Sequence, residues 1–291
     1  MNAEMLQAVV VRQAEPGDAE LCGALCFEAF NDINKRHGFG CDFPGPEVST
    51  SVLKTMFSHP NFYCVVAESE GRLAGSNCLD ERSTIAGVGP ITINPQIQNR
   101  GIGKKLMQAV LDRAVDRRLA GVRLVQAAFH NRSLSLYTRL GFDVREPLSC
   151  MQGRTLERSV PGCTVRGAQA GDVAACNSIS RQVHGFDRGQ ELIEAVDQGT
   201  ALVVERHGRI SGYASSLAFF GHATAETNLD LQALIASADS FGGSGILVPS
   251  RNSALFRWCL KNGLRVVQPM TLMALGLYNE PAGAWLPSIS F

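Results

Sequence analysis

Several things are scarce or missing in this 291-residue chain, and each absence excludes a class of function. No run of about 18 apolar residues occurs anywhere, so the sequence offers no helix for crossing a bilayer. The opening stretch MNAEMLQAVVVRQAEPGD has no basic segment followed by an apolar core. No secretory signal is read there, and a cytoplasmic protein is expected. Neither charge is in excess: 27 Lys and Arg balance 27 Asp and Glu, which removes the broad basic field that non-specific nucleic-acid binding needs. An anionic ligand must therefore be held locally. Cys-x-x-Cys pairs are also missing. The nine cysteines are odd in number and scattered, which points to reduced core thiols and to neither a disulfide framework nor a metal site.

What remains is ordinary globular composition over about twice a typical domain length, so two domains are expected. The two halves resemble each other. Val11-Arg12-x-Ala14-x-x-Gly17-Asp18 recurs as Val165-Arg166-x-Ala168-x-x-Gly171-Asp172. A hairpin pattern over 65–75 with a Gly-Arg turn recurs over 202–212, and NRSLSLYTRLGF from Asn131 is echoed by NSALFRWCLKNGL from Asn252. Three similar elements in one order argue for duplication. The boundary is placed in the polar stretch 154–164 with its Pro-Gly turn signal, which gives domains 1–155 and 163–291.

Within the first half, apolar periodicity predicts strands at 8–12, 62–68, 72–80, 85–93 and 122–128 and helices at 18–30, 48–57 and 133–140. A further helix follows residues 98–103, with Ile102, Leu106, Met107, Val110, Leu111, Ala114 and Val115 on one face and Gly121 beyond its end. The class is α+β.

The stretch before that helix reads Gln98-Asn99-Arg100-Gly101-Ile102-Gly103. A glycine-rich loop at a helix start converges backbone N–H groups on one point, and the helix end adds partial positive charge, which makes a cradle for phosphate. Two familiar phosphate loops fail. The P-loop needs a glycine at Gln98 and a hydroxyl at Lys105, and the dinucleotide fingerprint needs a third glycine at Leu106. What matches is Gln-x-x-Gly-x-Gly after a strand, with Asn131, Tyr137 and Leu140-Gly141-Phe142 downstream. In these motifs the chain resembles the GNAT superfamily of acyl-CoA-dependent N-acetyltransferases.

The resemblance implies two tandem GNAT-like domains, each a mixed, mostly antiparallel sheet flanked by helices. It also implies acetyl-CoA as co-substrate, without a metal, and an amine acceptor, either a small molecule or a peptide. By the family pattern, Gln98, Asn99, Arg100, Gly101, Ile102, Gly103 and Lys104 hold the pyrophosphate. Ile91, Thr92 and Ile93 pair with the pantetheine arm, and Asn131 bonds near it. Tyr137 is the general acid that protonates the departing thiolate. For Lys105, Arg113 and Arg117 a solvated helix face is expected. Many relatives place a carboxylate on the fourth strand, yet TIAGVGPITIN over 84–94 has none. The base is sought among Asp80, Glu81 and His130, and the aromatic, Gly/Pro-rich segment 27–47 is read as an acceptor wall. The second half has no matching loop, its glycines Gly242, Gly243 and Gly245 follow a helix predicted over 231–241, and Cys259 stands where Tyr137 would. It is therefore read as degenerate. The alternative for the whole chain is a CoA-binding regulatory or structural module without turnover.

Overall fold

The computed structural model describes residues 9–98, 100–156 and 158–290. Most of the opening stretch read for a leader (1–8), Asn99 of the loop and Glu157 of the inter-half stretch lie outside the described residues. The chain forms two compact units, Met1–Glu81 with Gly87–Leu119, and Arg82–Ala86 with Ala120–Phe291.

In the first unit, β1 (Val10–Gln13), β2 (Phe62–Ser69) and β3 (Arg72–Asp80) form an antiparallel ladder. Helices α1 (Ala19–Arg36), α2 (Pro46–Ser58) and α3 (Ile102–Asp116) accompany it. Cys22, Cys26, Leu53, Met56 and Val66 are buried together in one cluster. The span 85–93, expected as one strand, is two: β4 (Ile85–Val88) and β5 (Thr92–Ile93), both antiparallel to β3. Leu79 faces Val88 while Ser76 faces Thr92, so three steps on β3 match four on the other chain. The surplus residue makes a bulge at Gly89 and Pro90, residues that suit an interrupted ladder. On β3, a Cβ at Gly75 would lie 2.2 Å from the Thr92 carbonyl oxygen, so only glycine allows this approach.

On α3 the expected apolar face is buried at Ile102, Leu106, Met107, Val110, Leu111 and Ala114. Val115 departs from it at 75% exposure. At roughly 100° per residue it lies about 120° from the centre of that face, and a single valine does not turn the helix.

The second unit contains β6 (Gly121–Ala127), α4 (Asn131–Arg139), β7 (Asp143–Gln152), β8 (Cys163–Gly167), α5 (Val173–His184) and α6 (Gly189–Asp197). It continues with β9 (Leu202–Arg206), β10 (Arg209–Ala214), β11 (Ala223–Ala225), α7 (Asn228–Ala236), β12 (Ile246–Pro249), α8 (Ser253–Lys261), β13 (Arg265–Gly276) and β14 (Ala284–Leu286). One antiparallel ladder runs β8-β9-β10-β11-β14. In the other, β13 from the second half of the sequence lies between β6 and β7 of the first half, and β12 pairs with the far edge of β7.

The repeat is visible atom by atom. Arg12 donates to Asp18 at 2.7 and 2.9 Å and to Glu68 at 2.8 Å, and Arg166 donates to Asp172 at 2.7 and 3.0 Å and to Glu205 at 2.8 Å. The hairpins turn at Glu70-Gly71 and His207-Gly208, all four with positive φ, as a primed hairpin turn requires. Their ladders shift register at the same place, opposite Ala74 and Ser211.

Two imidazoles are buried in the second unit. His184 Nε2 lies 3.2 Å from the Thr224 hydroxyl, and His222 lies between Glu191 and Tyr213. Burial, reinforced by the charge of Arg188, lowers the pKa of both below 6.5, for His184 well below. The unfolded chain therefore binds protons near pH 6.5 that the folded one refuses, and stability present above that pH is lost as the pH falls. Each imidazole contributes up to about 1.4 kcal/mol per pH unit over this window. Urea unfolding at pH 7.5, 6.5 and 5.5 should show a falling free energy, whereas equal values would contradict neutral buried imidazoles.

Candidate functional site

The loop entering α3 is shaped by local chemistry. The Asn94 side chain accepts from the Gln96 N–H at 2.9 Å and starts one turn of 3-10 helix, Pro95–Ile97. Gln98 Nε2 then reaches the Ile93 carbonyl at 3.5 Å. Gly101 has φ +79°, a left-handed conformation, and a Cβ there would meet no atom within 4 Å. Glycine at this position meets a conformational need. The first backbone bond of α3 is Lys105 N–H to Gly101 C=O at 3.1 Å, so the amides of Ile102, Gly103 and Lys104 have no partner within the helix. The N-cap residue, Gly101, has no side chain to cap this end, and no acidic residue lies in its first turn. Arg100 is exposed, 4.0 Å from Glu70, and Lys105 Nζ donates to the Val9 carbonyl at 3.0 Å.

The Asn94 N–H donates to Ala74 C=O at 2.9 Å, so that amide points to β3. Successive strand amides alternate in direction. The N–H group of Ile93 therefore points to the opposite edge, the geometry that pairing with an extended amide ligand requires.

Three other sequence-predicted residues lie on or next to α4. Tyr137 is 5% exposed, and burial pushes its phenol up to about 12, with the Ser133 hydroxyl as hydrogen-bond partner working the other way. Ser133 also bonds His130 Nδ1, so His130, Ser133 and Tyr137 form one line of polar groups. Ser133 was missed in the sequence reading. Its position four before Tyr137, on the same helix face, is the signal that finds it. Asn131 is exposed at the start of α4, and its carbonyl accepts from the Ser135 hydroxyl at 2.8 Å.

Glu81 is held elsewhere. Its carboxylate takes two bonds from Arg113, at 2.6 and 3.0 Å, with Arg117 at 3.7 Å. Arg113 also covers the Tyr63 ring at 5.0 Å, so the solvated-face expectation fails for this residue. The amphipathic pattern marked it as outward, but its long stem folds back over β2 and β3.

In the second half, α7 occupies the place of α3 in the element order, after β11. It begins at Asn228 and ends at Ala236, so the predicted 231–241 span is shifted. Its start is closed by a capping box of Thr227 and Asp230. Asp230 is fully buried and also binds Arg206 and Ser211. A cleft of about 470 Å³ beside this end is lined by Glu146, Glu226, Glu280 and Arg251 among others. Cys259 is buried on α8, its thiol pushed up to about 12 by burial.

Residues 26–142 match the acetyltransferase (GNAT) family model. No curated protein matches the sequence. Among solved structures, a putative acetyltransferase from Pyrococcus horikoshii is similar over 98% of this chain and 97% of its own, at 19% identity and TM-score 0.74. A GCN5-related N-acetyltransferase from Sphaerobacter thermophilus is similar over 97% and 98%, at 16% identity and TM-score 0.61. A tandem GNAT protein from the clavulanic acid biosynthesis pathway is similar over 92% and 98%, at 12% identity and TM-score 0.56. At these identities the structures speak for the fold alone. Among the described residues no helix is long and apolar enough to cross a membrane. Residues 26–142 are thus similar to the acetyltransferase (GNAT) family, and the fold of the chain is similar to that of a tandem GNAT protein.

Proposed function

We propose that the protein transfers an acetyl group from acetyl-CoA to an amine by direct attack. The observation that carries this reading is the uncapped start of α3: a left-handed Gly101 followed by three amides with no helical partner, inside the family-matched segment. Residues 98–104 hold the pyrophosphate, and Ile91 and Ile93, the latter with its N–H directed away from β3, hold the pantetheine amides. The neutral amine attacks the thioester carbonyl, and a main-chain N–H of the β4–β5 strand receives the developing oxyanion. The C–S bond then breaks, Tyr137 gives its proton to the thiolate, and the proton lost by the attacking nitrogen passes through water to restore the phenol. A phenol at about 12 keeps its proton across the physiological range, so Tyr137 is in its acid form when the thiolate departs. Ser133, four residues before Tyr137 on α4, is placed to support the phenolate that results.

The second half takes no CoA in this reading, because Asp230 already fills the anion position at the start of α7. A second reading, a CoA-binding module without turnover, is favoured by the clamped Glu81 and by the absence of any carboxylate between Thr84 and Asn94.

One assay separates the two: acetyl-CoA with pooled amines, read as free thiol. Release that depends on both protein and amine supports transfer, and CoA binding without release supports the module. In the active case Tyr137→Phe removes only the proton donor. kcat should fall about 100-fold with little change in KM for acetyl-CoA. An unaltered kcat in a variant with rate-limiting chemistry would leave Tyr137 as packing.

A further inference from the structure

Residues Arg82–Ala86 precede and begin β4, yet they belong to the second compact unit, while Glu81 and Gly87 on either side belong to the first. Almost every residue of this excursion is fastened. Arg82 Nη1 donates to Glu194 on α6 at 2.6 Å, with both side chains largely covered at 17% and 20% exposure. The Ser83 hydroxyl donates to the Asp187 carbonyl at 3.0 Å, and the Thr84 carbonyl accepts from the Ala120 N–H at 3.0 Å. Ile85 is 2% exposed, in a cluster with Leu148, Phe186 and Trp285.

Behind the Arg82–Glu194 pair lies a buried ionic network. Glu191 accepts from Arg188 at 2.9 Å and lies 2.9 Å from His222 Nδ1, and the charge of Arg82 is felt by both Glu191 and His222. Enclosed ion pairs lose most of their attraction to desolvation, so they are a poor way to gain stability. Their attested use is to fix register, because a misplaced partner leaves an uncompensated charge in the interior. A five-residue excursion held by such a pair, two hydrogen bonds to backbone and a buried isoleucine is fixed in position far more firmly than a turn requires.

We propose that Arg82 is a positioning residue for acetyl transfer: paired with Glu194 on α6, it fixes the start of β4, the strand leading to the N–H groups that receive the thioester oxygen. This rests on the acetyl-transfer reading given above. It assigns the second half of the sequence a catalytic consequence without a ligand of its own, since the placement of oxyanion donors is sensitive to shifts of about 1 Å, worth on the order of 100-fold in rate.

The test uses the full chain with Arg82→Met and Glu194→Met together, which removes both charges and leaves neither orphaned, and Arg82→Lys as the conservative variant. In the double variant kcat should fall at least about 10-fold, with CoA affinity and KM for acetyl-CoA unchanged. Amide hydrogen exchange over 85–88 should quicken, and Arg82→Lys should restore part of both. Unchanged kcat in the folded double variant overturns the proposal, and so does a parallel loss of kcat, CoA binding and melting temperature, which marks a purely structural pair. If the wild-type chain releases no thiol, the acetyl-transfer reading has failed on its own. The exchange measurement then decides whether the pair fixes β4: faster exchange over 85–88 supports that part and unchanged exchange overturns it.

Discussion

A chain ended at Thr155 is expected to be insoluble or unfolded, although it contains the whole family-matched segment 26–142. Ending it there removes β13, which pairs with β6 from Met270 opposite Ala127 to Gly276 opposite Gly121, and with β7 along its other side. β6 would lose its partner β13 and β7 both β13 and β12, exposing unpaired amides and carbonyls, the usual template for aggregation. The side chains of Met270, Leu272 and Met273 are nearly or fully buried. At about 1.5–3 kcal/mol for each, their burial is worth roughly 4.5–9 kcal/mol, comparable with the whole net stability of a domain at about 5–15 kcal/mol. Expression of 1–155 alone and together with 163–291, followed by size-exclusion chromatography and circular dichroism, checks this. Co-expression should rescue solubility. A monomeric, cooperatively folding 1–155 would mean that β6 and β7 can close on each other without β13.

Gly103→Asp should abolish CoA binding and leave the fold intact. Gly103 is the second residue of α3, among the amides that lack a helical partner. A carboxylate there interacts favourably with the helix end, by about 0.3–1 kcal/mol, so the melting temperature should hold or rise slightly. The same charge about 4 Å from a pyrophosphate repels it by roughly 4 kcal/mol at the effective dielectric of a protein surface, close to a thousandfold in affinity. Stability and binding thus move in opposite directions, which distinguishes this outcome from misfolding. The chain already contains the analogue of this substitution, since Asp230 closes the start of α7. Calorimetry on the wild type should accordingly give one CoA per chain. Unchanged affinity in a folded Gly103→Asp would remove the phosphate assignment, and a stoichiometry near two would return a ligand role to the second half.

Local features were legible in the sequence, and features made by partner choice were not. Periodicity and turn residues located α3, both hairpins and the glycine loop, because each depends on neighbours within a few positions. The interruption at Gly89 and Pro90 was also written locally, but the continuous apolar run around it hid the two residues as punctuation. The insertion of β13 could not be read, since a strand's alternation tells which face is buried and not which strand lies beside it. Arg113 and Ser133 were missed for a related reason. Their partners, Glu81 and the Tyr137–His130 pair, are fixed by tertiary placement or by rotamers that spacing only permits.

The position of β13 also sets a clock for synthesis. β7 ends at Gln152 and β13 ends at Gly276, so about 124 residues must be made before the slot beside β7 can fill. At about 5–20 residues per second this takes roughly 6–25 s, far longer than a hairpin needs to form. Throughout that interval the nascent chain carries β6 and β7 with the gap between them still empty. Neighbouring chains on one message are then at their most prone to pair with each other, and holdase chaperones have most to offer this protein before β13 emerges.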